Sequence, residues 1–174
     1  SFQSLEGFWP GRSLNLATSD APERVLARQV TPGGYRLISK GVWLGRHFRD
    51  DEGEPGKQHV ALLIHRLWRE RYGGDRDIIN RDIRMDSVPY TVVGVLPPGG
   101  WEDRAAANIW IPISFTPGEI ANRHFRPLIV DGRLKSGVTI EQAQHEMDII
   151  AADQARLFPE SNAGRTVRLV PLET

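Results

Sequence analysis

The sequence predicts an α+β fold, and three observations carry that prediction. His59 to Ile64 (HVALLI) is a short, continuous apolar run, the pattern of a strand covered on both faces. Ile83 and Met85 alternate with Asp82, Arg84 and Asp86, and Tyr90 to Leu96 is rich in β-branched residues, so the two stretches read as a hairpin turning at Asp86 to Pro89. Ile140, Ala143, Met147, Ile150, Ala151 and Phe158 recur at helical spacing along one side of a third segment.

The elements follow in order. Residues 1–31 hold apolar segments around Leu5 to Phe8, Leu14 to Ala17 and Val25 to Val30, separated by Pro10-Gly11 and by Ser19 to Pro22, which predicts short antiparallel strands. Pro32 suits the first turn of a brief helix through Tyr35, Leu37 and Ile38, ended by Gly41. Arg46 to Lys57 is charged and glycine-rich and reads as an exposed loop. After the HVALLI strand, a helix carrying Leu67, Trp68 and Tyr72 stops at Gly73-Gly74. Beyond the hairpin and the Pro97 to Gly100 turn, Ile109 to Ile113 predicts a strand, Pro117-Gly118 centres a loop, and Leu128, Val130 and Leu134 mark another strand. Thr139 and Gln142 form a capping-box pair opening the long helix. Pro159 ends that helix, Ser161-Asn162 turns the chain, and Val167 and Leu169 mark a last strand that completes a βαβ-like unit. This order suggests one subdomain built from residues 1–43 and 127–174, with residues 44–126 inserted as a second.

Composition narrows the function. The 174 residues suffice for one domain or two small subdomains without covalent staples. Hydrophobic residues make up 40% and charged residues 25%, ordinary for a globular chain, and no apolar run approaches the roughly 18 to 20 residues that span a bilayer. With 22 basic and 22 acidic residues there is no net field to draw the chain to nucleic acid, so no nucleic-acid partner is expected. The lack of cysteine removes disulfides, thiolate catalysis and thiolate zinc sites. Ser1 to Ser4 has neither a signal peptide's basic and apolar regions nor an initiator Met, so the sequence reads as a piece of something longer.

Chemistry is hard to find. His47, His59, His65, His124 and His145 are scattered, with no two at the i, i+4 spacing that sets metal ligands on one helical turn. There is no nucleophile elbow, Walker loop or dinucleotide fingerprint. Asp50-Asp51-Glu52 falls in the charged loop, where the sequence gives no sign of the burial that raises a carboxyl pKa. No catalytic, metal or cofactor residue is assigned, and the chain is not expected to be an enzyme. Trp110, within an apolar strand, reads as core. Trp101, after a proline-glycine turn and before Glu102 and Asp103, is the candidate partner contact, because aromatic side chains anchor interfaces.

Several separated segments together carry a resemblance: Phe2 to Gly7 (FQSLEG), Pro22 to Val25 (PERV), Leu44 to Phe48 (LGRHF), Leu67 to Asp75 (LWRERYGGD), Pro89 to Gly99 (PYTVVGVLPPG), Trp110 to Pro112 (WIP), Arg133 to Thr139 (RLKSGVT) and Phe158 to Asn162 (FPESN). In this order they resemble the extracytoplasmic core domain of the MacB type, found in ABC transporter permeases of the MacB and FtsX-like family. One stretch, Gly33 to Val42, departs from the family's usual aromatic pair and Leu-Gly-Val step.

The resemblance implies a porter-like subdomain interrupted by a smaller α/β insertion, placed between two transmembrane helices on the periplasmic side of a bacterial inner membrane. It further implies a non-catalytic role in transport or efflux, passing membrane-helix movement to cargo or to periplasmic partners such as an adaptor or lipoprotein. ATP hydrolysis would belong to a separate cytoplasmic ATPase subunit or domain. A domain tethered at both ends should have its termini on one side. The isolated domain is expected to be monomeric, within a parent permease for which a dimer is one arrangement. Two other readings remain open. One is a ligand-binding module that captures a peptide, lipid or small hydrophobic molecule between the subdomains. The other is a hydrolase assembled from distant segments.

Overall fold

The first strand sets the architecture. In the computed structural model, which describes residues 1–17, 22–33, 41–99 and 107–172, β1 runs from Phe2 to Leu16 and serves two groups of neighbours. Its first half pairs antiparallel with β8 (Ile129–Leu134), from Phe2 opposite Leu134 to Phe8 opposite Ile129. Its second half pairs antiparallel with β2 (Glu23–Val30). The expected turn at Pro10-Gly11 is instead a register irregularity between Trp9 and Arg12 within one continuous strand. A bulge tolerates proline, which lacks a ladder donor. It also suits glycine here, because a Cβ on Gly11 would sit 2.6 Å from Leu26 Cδ1.

Six strands close into a mixed barrel in the order β1, β2, β7 (Ile109–Pro112), β4 (Val60–Leu63), β6 (Val88–Val95), β5 (Asp82–Met85) and back to β1. The β2–β7 and β4–β6 pairs are parallel and the others antiparallel. Closure occurs where Leu16 faces Met85, reinforced by Ala17 N–H to Arg84 O at 2.8 Å. The two-residue β3 (Leu44–Gly45) adds to β6, and β8 is appended outside the ring.

Strand pattern accounts for the core. Leu14 and Leu16 on β1 point inward between exposed neighbours, and Val25, Ala27 and Val30 are buried on β2 among mostly half-buried neighbours. The apolar run at Ala61 to Ile64 is buried throughout, as is Ile109 to Ile113, because both strands lie between other strands and are covered on both faces. Trp110 is fully buried, in agreement with its core reading.

Helix α1 (His65–Tyr72) buries Leu67 and Trp68 and ends at Gly73, which is left-handed with φ 61°. The β5–β6 hairpin turns more tightly than expected, on Asp86 and Ser87 alone, both at positive φ. Asp86 is held in that conformation by accepting both the backbone N–H and the side-chain amide of Asn15 at 2.9 Å. The loop from Arg46 to Lys57 is less solvated than its composition predicts. It contains a short 3₁₀ turn, Asp50–Gly53, and buries Phe48 and Glu52. Glu52 is drawn in by a guanidinium and a backbone amide that satisfy both its oxygens.

Beyond the barrel, the expected loop at Pro117-Gly118 is a one-turn helix, α2 (Pro117–Ala121), capped reciprocally by Thr116 and Glu119. Helix α3 (Ile140–Leu157) opens on the predicted Thr139–Gln142 capping box, and a single turn, α4 (Pro159–Asn162), follows it. The apolar stripe of α3 is only partly used: Ala143 is buried, while Ile150 is exposed. Val167 and Leu169 do not form the expected strand. Residues 165–172 are extended but unpaired in any sheet, held beside α3 by the Gln144 side chain, which donates to Val167 O at 2.7 Å and accepts from Leu169 N–H at 2.8 Å. The helix expected from Pro32 lies mainly in residues outside those described.

Candidate functional site

Trp101, Glu102 and Asp103 lie outside the described residues, so the structure places none of them. The histidines stay apart: His59 meets the Tyr90 ring edge-on, and His65 sits between the rings of Trp43 and Trp68. Among the described residues no three His, Asp or Glu side chains converge as a metal set. Asp51 is an exposed partner of Lys57, whose ammonium holds the carboxyl below the usual range, while Glu52 faces Arg46.

Two features remain that can do work. The first is a half-buried knot where β1, β2, β7 and β8 meet. The Arg28 guanidinium lies 4.7 Å from the centre of the Phe8 ring and 5.6 Å from that of Trp110. Glu6 and Asp131 line the same enclosed space, which is only about 10 Å³. Thr31 ties the knot further: its hydroxyl donates to Glu6 Oε2 at 2.5 Å and accepts from Gly7 N–H at 3.1 Å. Burial lowers the Arg28 pKa against the opposing pull of Asp131, and burial raises that of Asp131 against the pull of Arg28. The space is too small for a ligand, and its contacts tie β1 to β2 and β7, with Asp131 of β8 at its edge.

The second feature is an open groove of about 550 Å³ lined by Phe115, Ile120, Phe125 and Leu128, with Arg126 and Glu119 among its polar groups. Its floor is aromatic, with Phe125 edge-on to both Trp9 and Phe115 at 5.6 and 6.4 Å. Arg126 is aimed by the turn after α3, donating to Ser161 O and Asn162 Oδ1 at 2.9 and 2.8 Å. Next to the groove, Arg123 covers the face of Phe158 at 3.4 Å. Such a surface has the apolar lining with a few polar groups that suits apolar ligands, and among the described residues no serine, threonine or cysteine lines it. The sequence reading missed these residues. The available signal was Thr116-Pro117-Gly118-Glu119, a capping box preceded by Phe115 and followed by Ile120.

Phe2 and Leu172, near the two ends of the chain, line one groove beside β8. Among the described residues no helix is long and apolar enough to cross a membrane.

Comparisons with known proteins agree with this geometry. The chain is similar in structure to the periplasmic region of MacB from Actinobacillus actinomycetemcomitans, at TM-score 0.66 and 13% identity over 92% of this chain and 70% of that one. It is also similar to the extracellular domain of the noncanonic ABC-type transporter YknZ from Gram-positive bacteria, at TM-score 0.65 and 12% identity, covering 96% and 82% of the two chains. No curated protein sequence matches the chain. The family described as the MacB-like periplasmic core domain matches residues 10–150, well over half of the sequence, and the chain belongs to that family.

Proposed function

We propose that this domain is a non-catalytic extracytoplasmic module of an ABC-type permease, moved as a body by flanking membrane helices and passing that movement to cargo or a periplasmic partner. The observation that carries the proposal is that Phe2 and Leu172 share one groove while β1 continues from there into a closed barrel. Two adjacent tethers on a stiff body transmit a hinge or shear displacement without internal rearrangement. The β1–β8 ladder supports the reading, because it joins the tethered side, β8, to a strand that runs on into the barrel. A cytoplasmic ATPase subunit or domain would supply the energy, with a periplasmic adaptor or lipoprotein as partner and Trp101, Glu102 and Asp103 as its contact. The placement is periplasmic, on a bacterial inner-membrane protein.

The division into residues 1–43 with 127–174, and 44–126 inserted, belongs to the same proposal. In its favour, β8 pairs with the first half of β1. Against a clean separation, β2 pairs with β7 and so joins the first segment to the middle one. The functional test is a distance measurement between domain and membrane segment with and without ATP. A second reading, capture of a peptide, lipid or small hydrophobic molecule, is favoured by the aromatic groove of Phe115 and Phe125. Saturable binding of a hydrophobic fluorophore, lost in Phe125→Ser, would support it.

A further inference from the structure

Strand β8 is an edge. Among the described residues it pairs with β1 alone, so one side of its ladder is open, and Ile129 and Val130 on it are about half exposed. A groove of about 600 Å³ is lined by residues 129–134 of that strand and by residues 168–172, which have no regular secondary structure. The segment has strand-forming residues, Val167, Leu169 and Val170, yet makes no ladder, and Val170 and Leu172 are 70% and 63% exposed. It is not loose: Gln144 pins it from α3 at both Val167 and Leu169. Ile140, at the start of α3, also lines the groove.

A strand, a crossover helix and a second extended segment normally bring the two extended pieces into one sheet. In the split form of this unit, one strand's width is left between them. An open edge and a long apolar surface facing water are features that folded proteins cover. The MacB periplasmic region is matched over only 70% of its length and the YknZ domain over 82%, so structures of this fold carry polypeptide with no counterpart in these residues.

We infer that the groove between β8 and residues 168–172 seats one apolar β-strand supplied by polypeptide of the same protein outside residues 1–174. That strand pairs with both sides, turns Val167 to Leu172 into a true strand, and covers Ile129, Val130 and Val170. Beside Phe2 and Leu172 it also joins the tethers to the sheet, and in that respect the inference rests on the proposed function.

The test is amide hydrogen exchange on residues 1–174 alone and on the full-length parent protein in detergent, read on peptides covering residues 128–135 and 167–172. In the parent both peptides should exchange about tenfold more slowly or better, as buried ladder amides do. Equal exchange in the two proteins overturns the inference. Protection of residues 1–174 that grows with their own concentration assigns the groove to a second copy and also overturns it. A Val130→Cys/Val170→Cys pair, in a parent whose cysteines outside residues 1–174 have been replaced, gives an independent readout, since residues 1–174 contain none. An intervening strand holds its neighbours about 10 Å apart, beyond the roughly 7 Å that a disulfide spans, so no bridge should form. Bridge formation on mild oxidation means direct pairing and rejects the inserted strand. A parent without membrane segments would remove the functional reading, while the exchange comparison would still decide whether the edge is covered.

Discussion

Arg46 and Glu52 form a two-pronged ion pair, with Nη2 to Oε1 at 2.6 Å and Nη1 to Oε2 at 3.0 Å, while the Arg49 backbone N–H donates to Oε2 at 2.7 Å. The Glu52 side chain is almost fully buried and that of Arg46 about one third exposed. Breaking a fully buried pair costs several kcal/mol, but the exposure of Arg46 screens part of the interaction. Glu52→Ala should therefore lower stability by about 2 kcal/mol in urea unfolding, and Glu52→Gln by about half as much. An unchanged midpoint for Glu52→Ala would return this segment to a solvated loop.

Gly45 has φ +78°, and a Cβ there would stand 2.3 Å from Val93 O. Gly73 also has positive φ, at +61°, with nothing within 4 Å of its Cβ position. The pair separates backbone strain from collision. Gly73→Ala should cost about 1 kcal/mol, the left-handed penalty alone, and Gly45→Ala about 2 to 4 kcal/mol, because β6 must also move. Equal losses in thermal melts would mean that the β3–β6 contact is looser than described.

Asp131 has its pKa raised, chiefly by burial, with Arg28 opposing the rise. A carboxyl whose folded pKa lies above its unfolded value supports the fold while protonated, and that support is lost as pH rises from the ordinary carboxylate range through the folded pKa. Asp131→Asn removes this loss. Its stability relative to the natural chain should therefore be more favourable at pH 7 than at pH 3, measured by urea unfolding at both. The opposite trend would show that attraction to Arg28 outweighs desolvation.

Trp101 is the proposed partner anchor. In the intact permease, Trp101→Ala should weaken partner-stimulated ATPase activity several-fold while leaving the unstimulated rate and the folding of the domain intact. An unaltered stimulated rate would remove Trp101 from the interface.

Much of the barrel was legible because its strands are local in their chemistry. Ala61 to Ile64 is apolar and buried throughout, in a strand between β6 and β7, and Thr139 with Gln142 caps α3 through contacts three residues apart. Errors arose where a distant residue decides the outcome. Pro10-Gly11 reads as a turn, yet Leu26 and the β2 register carry the strand through it. Phe48 and Glu52 lie in a charged run, but Arg46 reaches back to the glutamate and holds the loop against the barrel. Val167 and Leu169 have strand residues without a strand partner. The aromatic groove was missed because Trp9, Phe115 and Phe125 meet only in the fold.

The central claim is that the domain moves as one body under control of the membrane helices. Pulsed dipolar spectroscopy tests it directly, since residues 1–174 contain no cysteine and labels go to chosen sites once any cysteine elsewhere in the permease is replaced. One pair spans the domain, at Glu70→Cys on α1 and Ala152→Cys on α3; a second joins Glu70→Cys to a flanking membrane segment of the intact permease. ATP binding should leave the first distance unchanged and shift the second by several ångströms. A second distance that does not respond to ATP, or a first distance that does, would contradict the account.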